Sequence, residues 1–252
     1  MIAAGLPGRL DCFKGCRGLL FGRTQLTPMF RETRAVLWDM DGTLLDSADY
    51  HWVSWRDVLA DEGFDLTRER FAESFGRRND ATLRGYFGDD FPLSEVERIG
   101  GIKEARYREM VRTQGVELLP GVGQLLERLK LDGWRQALAS SGSLENIETV
   151  LEALKISGYF DAIVSAEDVQ TGKPDPEVFL VAAHRVRTPP QRCVVIEDAP
   201  AGLEAARRAA MRTVGVLSSH TQLQADVVVC TLLDLPQDTF DRLVPKQANV
   251  GG

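Results

Sequence analysis

From Arg34 onward, short apolar runs rich in β-branched residues alternate with longer stretches whose apolar positions recur at helical spacing. The runs at 35–39, 136–139, 162–165, 193–197, 213–217 and 227–230 predict strands. Between them, Ile147, Val150, Leu151 and Leu154 share one helical face. Asp175-Pro176 reads as a cap followed by proline at the first helical position, and Pro200 opens another helix that the pattern carries to Met211. Apolar strands separated by amphipathic helices predict an α/β fold, a doubly wound, Rossmann-like parallel sheet with helices on both faces.

One interval breaks the alternation. Between Ser47 and Gly115 the chain carries helix signals and no convincing strand. Ala48, Trp52, Trp55 and Leu59 fall on one helix face, with Gly63 placed to end it. Ser94-Glu95-Val96-Glu97 reads as a capping box opening a long helix that Gly115 closes. The expectation is a helical cap subdomain at 48–115, inserted into a catalytic core formed by 34–47 and 116–235, with 236–252 as a C-terminal tail.

Charge narrows the partners. The 252 residues carry 30 Lys and Arg against 37 Asp and Glu, a net charge of −7. That sign opposes binding to nucleic acid or to an anionic membrane surface. No apolar run approaches the roughly 18 residues needed to span a bilayer. The first 28 residues differ in kind: Arg9, Lys14, Arg17 and Arg23 face only Asp11, without a signal-peptide core. Residues 1–33 are therefore read as a disordered extension that adds little to the fold. Four cysteines are too few for a disulfide scaffold; Cys193 and Cys230 lie in apolar runs and read as buried free thiols, which fits a cytoplasmic location. Cys12 and Cys16 have a metal-like spacing, but no second Cys/His pair accompanies them.

In an open α/β sheet, ligands bind beyond the carboxyl ends of the strands. The first strand ends in Trp38-Asp39-Met40-Asp41-Gly42-Thr43, two carboxylates able to serve one site, with a glycine that lets the backbone turn close to a ligand and a hydroxyl, Thr43, beside them. The second ends in Ala139-Ser140-Ser141-Gly142, hydroxyls and amides suited to phosphate oxygens. After the third comes Gly172-Lys173-Pro174-Asp175-Pro176, a lysine fixed between turn residues. The fourth runs into Glu197-Asp198, a hard-cation pair. Each signal alone also reads as an ordinary cap or turn; their succession at four strand ends carries the argument.

That succession resembles the haloacid dehalogenase superfamily of phosphotransferases, over about residues 34–230, and the helical insertion resembles its branch containing β-phosphoglucomutase and small sugar-phosphate phosphatases. The resemblance implies Asp39 as nucleophile and Asp41 as general acid/base. It implies phosphate held by Thr43, Ser140, Ser141 and Lys173, and Mg2+ held by Asp39, the Asp41 carbonyl, Asp198 and Glu197. In the cap it matches His51 and Lys103 to a pair that positions the acid/base aspartate. Trp52, Arg77, Arg78 and Asn79 are candidates for reading the substrate. Asn79 stands where the mutase branch has a phosphate-binding arginine, a departure that weighs against mutase activity. The expected function is a Mg2+-dependent phosphatase of a small phosphorylated metabolite. The alternatives are a sugar-phosphate mutase and a non-enzymatic phosphoacceptor module.

Overall fold

The computed structural model describes residues 33–246. Its centre is β1 (Ala35–Trp38), paired in parallel with β2 (Arg135–Ala139) on one side and β4 (Cys193–Glu197) on the other. With β3 (Ala162–Val164), β5 (Arg212–Val216) and β6 (Val227–Val229) the order is β3-β2-β1-β4-β5-β6, all neighbours parallel. The doubly wound parallel sheet expected from the sequence is therefore present. The chain winds out from β1 to β3 and returns to β4, so the winding reverses beside β1 and opens a crevice beyond the strand ends.

Alternation along β1 sorts its side chains between two layers. Val36 and Trp38 join one apolar cluster with α5 (Val122–Leu131) and α6 (Leu144–Leu154); Ala35 and Leu37 join another with α7 (Glu177–Arg185) and α8 (Pro200–Arg208). Trp38 is fully buried, and its indole N–H donates to Gln136 Oε1 (3.1 Å) while Gln136 Nε2 donates to the Leu126 carbonyl (3.0 Å). The buried amide therefore carries no unpaired group of the kind that costs about 1–3 kcal/mol.

Four helices lie between β1 and α5 in the chain: α1 (Ala48–Asp61), α2 (Arg68–Ser74), α3 (Asn79–Phe87) and α4 (Leu93–Gln114). They share an apolar cluster of their own that includes Trp55, Leu59, Phe71, Leu83 and Ile99. Gly63 and Gly115 follow α1 and α4 at φ values of 74° and 76°, as their placement predicted. Tyr107 and Val111 on α4 pack into the sheet's cluster, joining the helical layer to the core.

Several local expectations are corrected. The capping box at Ser94 does not form: α4 begins at Leu93, capped by Pro92, whose carbonyl accepts from the amides of Glu95 and Val96 (both 3.0 Å). Proline's fixed φ sets that start without a side-chain cap. Pro176 is the cap of α7 rather than its first residue, with Asp175 accepting from the Glu177 amide (3.0 Å). α8 stops at Arg208, because Ala210 takes a left-handed turn (φ 57°) toward β5. Cys193 is buried as expected, but Cys230 is exposed, lying just past the end of the edge strand β6. Part of the expected tail is structured: α9 (Thr239–Leu243) buries Phe240 against Trp134. The expectations for the N-terminal extension and for Cys12 and Cys16 lie outside the described residues.

Candidate active site

The loop after β1 holds the two aspartates in different surroundings. The Asp39 amide extends the β1–β4 pairing by donating to the Ile196 carbonyl (3.0 Å), which fixes the residue over the end of β4. Lys173, reaching in from the loop before α7, contacts the Asp39 carboxylate and donates to Glu197 Oε1 (2.8 Å). The Lys173-Pro174 peptide bond is cis. Asp39, Glu197 and Asp198 each bring a carboxylate oxygen within 4.8 Å of the others, and all three are buried. Asp198 accepts from Ser219 and from Thr43 Oγ1 (3.5 Å), and Glu197 from the Ala199 amide (2.6 Å).

Two glycines make room for this cluster. A Cβ on Gly42 would stand 2.0 Å from Asp198 Oδ2, and one on Gly202 would stand 1.7 Å from Glu197 Oε1. No other residue type permits backbone and carboxylate to approach so closely.

Three carboxylates answered by one ammonium leave the cluster rich in negative charge. Burial, reinforced by Glu197 and Asp41 against the opposing Lys173, pushes Asp39 up to about 8. Burial together with Glu197 and Asp39 pushes Asp198 well above the usual carboxylate range. Burial works against the charge on Lys173 too, yet Asp39 and Glu197 overcome it and hold the ammonium firmly protonated. A buried, oxygen-only donor set with excess negative charge fits a hard divalent cation such as Mg2+.

Asp41 turns its carboxylate away from this cluster. It accepts from Ser47, from His51 Nε2 (3.1 Å) and from the Tyr107 hydroxyl (3.5 Å). Burial alone would raise its pKa, but His51 and Ser47 outweigh it and hold the group below the ordinary value. On the far side of the ring, Lys103 Nζ lies 2.8 Å from His51 Nδ1. An ammonium only donates, so Nδ1 is the acceptor and the ring's proton sits on Nε2, aimed at Asp41. Tyr107 stacks on the same imidazole (centroids 4.1 Å apart) and locks its plane. Lys103 also donates to Glu104 Oε1 (2.9 Å), as does Asn79 Nδ2 (2.8 Å); Asn146 of α6 donates to Oε2.

The remaining sequence candidates divide. Ser140, Ser141, Arg77 and Asn79 line one cleft with Asp39, Asp41, His51 and Lys103. Ser140 Oγ accepts from the Gly142 amide (3.0 Å). Arg77 is exposed, and its side chain makes no hydrogen bond or ion pair among the described residues; it lines the part of the cleft shared with the carboxylate side. Thr43 is fully buried, spends its hydroxyl on Asp198 and lines neither side, so it supports the carboxylate rather than a phosphate. Trp52 packs on Phe71 (5.6 Å) beneath Arg68, away from the cleft; Trp55, one turn on, takes that place. Arg78 does not face the cleft either: Nη1 donates to the carbonyls of Ala166 (3.2 Å) and Val169 (3.0 Å), tying α3 to the loop that leads to Lys173. The carboxylate of Asp41 likewise does not join the acidic cluster, which leaves only its backbone carbonyl as a candidate metal ligand.

A model of the haloacid dehalogenase-like hydrolases matches residues 36–216, which contain every group of the site described above except Ser219. The chain belongs to the haloacid dehalogenase-like hydrolase family. It is 34% identical over 208 residues to the β-phosphoglucomutase of Bacillus subtilis, covering 80% of this chain and 91% of that protein. It is 30% identical over 212 residues to hexitol phosphatase B of Escherichia coli, covering 81% and 95%. The crystal structure of β-phosphoglucomutase from Clostridium difficile superposes with a TM-score of 0.74 at 30% identity, over 84% of this chain and 96% of that one. Membership of an enzyme family sets aside the non-enzymatic phosphoacceptor alternative.

Sequence reasoning about this hydrolase overlooked Ser219, Tyr107, Glu104 and Asn146. The strand-end rule, applied after β5, reaches Ser218 and Ser219: the first donates to the Gly42 carbonyl, the second to Asp198. Tyr107 is four residues after Lys103 and so shares its helix face. Nothing in the local pattern marks Glu104 or Asn146. The overlooked Gly202 supplies a prediction. Gly202→Ala adds a better helix former by about 1 kcal/mol, yet it must displace Glu197. A loss of about 10²-fold or more in kcat is expected, with a lowered melting temperature because the displaced Glu197 gives up its buried pairing with Lys173; unchanged kinetics would contradict the close approach.

Proposed function

We propose that this hydrolase is a Mg2+-dependent phosphatase acting on a small phosphorylated metabolite, a sugar phosphate by class, through an aspartyl-phosphate on Asp39. The observation that carries the reading is the division of labour between the two aspartates. Asp39 sits with Lys173 among the buried carboxylates, while Asp41 is held apart by a histidine that donates to it.

In the first step an Asp39 oxygen attacks phosphorus as the bond to the leaving oxygen breaks, and Asp41 gives that oxygen a proton. Asp41 is ionised in the free protein, but a phosphoryl dianion beside it raises its proton affinity. In the second step Asp41 takes a proton from the water that attacks phosphorus, and Asp39 and inorganic phosphate are released. Ser140, whose oxygen already accepts from Gly142, keeps its own proton for a phosphoryl oxygen, and Lys173 offers its third N–H. Asp39, Asp198, the Asp41 carbonyl and Glu197, as ligand or as the partner behind them, would hold Mg2+, which when bound neutralises charge on the phosphoryl oxygens.

A mutase that moves phosphate between two hydroxyls of a hexose is the second reading, favoured by the likeness to the Bacillus subtilis enzyme. Incubation with β-glucose 1-phosphate, Mg2+ and a trace of bisphosphate separates the two. The phosphatase reading predicts free phosphate outrunning glucose 6-phosphate and silence in chelator. Glucose 6-phosphate accumulating faster would establish the mutase. The partner in this reading is a small metabolite and the location the cytoplasm, which the two free cysteines among the described residues fit; no helix among the described residues is long and apolar enough to cross a membrane.

A further inference from the structure

Lys173 is carried by a loop, residues 165–176, that runs from β3 to α7 and is held from two sides. The core supplies the first. Asp168 accepts from the Ser165 amide (2.9 Å) and from Arg185 (3.1 Å), while Glu177 Oε2 accepts from the amides of Gln170 (2.8 Å) and Thr171 (2.9 Å). The inserted helical layer supplies the second. Arg78, the residue before α3, sends Nη1 to the carbonyls of Ala166 and Val169, and its Nε lies 3.3 Å from Asp80 in the first turn of the same helix. Among the described residues no other side chain of that layer hydrogen-bonds to the loop.

The stem of this arginine packs on Gly172. A Cβ there would stand 2.7 Å from Arg78 Cδ and 3.1 Å from its Cγ. Gly172 is not among the glycines with a left-handed backbone, so what it contributes is space rather than a turn. That space lies one residue before Lys173, whose side chain is 5% exposed and bound to Asp39 and Glu197. Arg78 itself lines neither side of the reacting cleft, so its charge is not a contact for the phosphoryl group. Its reach is to the backbone beside the lysine.

We propose that Arg78 is a positioning residue: packed on Gly172 and bonded to the Ala166 and Val169 carbonyls, it braces the 165–176 loop so that Lys173 meets the transferred phosphoryl group. The inserted helices thereby help to set a lysine that they do not carry. The inference rests on the phosphatase reading for the role of Lys173 and assigns Arg78 a part in it. A misplacement of about 1 Å at a reacting group costs up to about 10²-fold, so a brace acting through the backbone is expected to be worth about tenfold.

The test measures phosphate release from a sugar monophosphate by the full-length enzyme at saturating ester and Mg2+. Arg78→Ala is expected to lower kcat about tenfold. In a Lys173→Met background the same change should cost less than about twofold, because no ammonium is left to misplace; a merely destabilised protein would lose alike in both. Gly172→Ala fills the space under the stem and leaves the guanidinium on the chain. It should lower kcat likewise, yet add less than about twofold once Arg78→Ala has emptied that space, and it carries the test if Arg78→Ala fails to fold. Amide hydrogen exchange with Mg2+ and no ester gives a readout independent of turnover: peptides from 165–176 should exchange about tenfold faster in either variant, with those of β4 unchanged. An unmoved kcat, an equal loss with and without Lys173, or unchanged exchange in the loop overturns the role of Arg78. No phosphate released from any ester by the wild type overturns the phosphatase reading instead, and the exchange measurement still decides the brace.

Discussion

Asp39→Asn is expected to lower turnover by about 10⁴-fold or more while the sheet stays folded. An amide is no nucleophile toward phosphorus, and no neighbouring carboxylate can stand in: Glu197 is bound to Lys173 and the Ala199 amide, and Asp198 to Ser219. The same substitution has a pH signature in metal-free protein. Asp39 is lifted from 3.8 to about 8 by burial and by Glu197, so the folded state keeps its proton over a range in which the unfolded chain has lost it. Stability from this group is therefore full at low pH and drains away as pH rises through that window. Asparagine does not titrate. Urea unfolding in chelator should show the variant gaining on the wild type between pH 5 and pH 8, and a constant difference across that range would contradict the assignment.

Lys173→Met is expected to cost about 10³-fold in activity and, in metal-free protein, about 3–5 kcal/mol of stability. Lys173 is the sole cation in contact with Asp39 and Glu197 among the described residues, and both ends of each pair are buried. Removing it leaves three carboxylates facing one another with no counter-charge. Mg2+ supplies charge of the same sign, so saturating metal should restore much of the stability. Activity should remain low, because the donor to the phosphoryl oxygens is gone. A variant as stable as the wild type in chelator would show that the lysine does not balance the cluster.

The sheet and the residues at its strand ends were legible because two independent regularities coincide there. Apolar β-branched runs announce buried strands, and the winding rule puts ligand-binding side chains just after them. Asp39, Ser140, Lys173, Glu197 and Asp198 all follow from that pairing, and Ser219 would have followed from one more application of it. The cap was less legible, for physical reasons. Trp52 and Trp55 have the same helical spacing, and only the docking of α2 against α1 decides that Trp55 faces the cleft. Ser94 had the residues of a capping box, but Pro92 set the helix start before it. Glu104 and Asn146 come from helices whose meeting no local pattern encodes, and a lone Glu on a long charged helix reads as a solvated face. Thr43 was read as a phosphate ligand from its place in the motif, whereas the approach of Asp198 over Gly42 claims its hydroxyl.

The account rests on covalent transfer of the phosphoryl group to Asp39. Acid-quenching the full-length enzyme during turnover of a sugar phosphate with Mg2+, reducing the acyl phosphate with borohydride and mapping the peptides by mass spectrometry tests that transfer directly. Asp39 is expected to be recovered as homoserine, with the yield rising when Asp41→Asn slows the hydrolytic step. Undiminished release of phosphate with Asp39 unmodified in both proteins would contradict it.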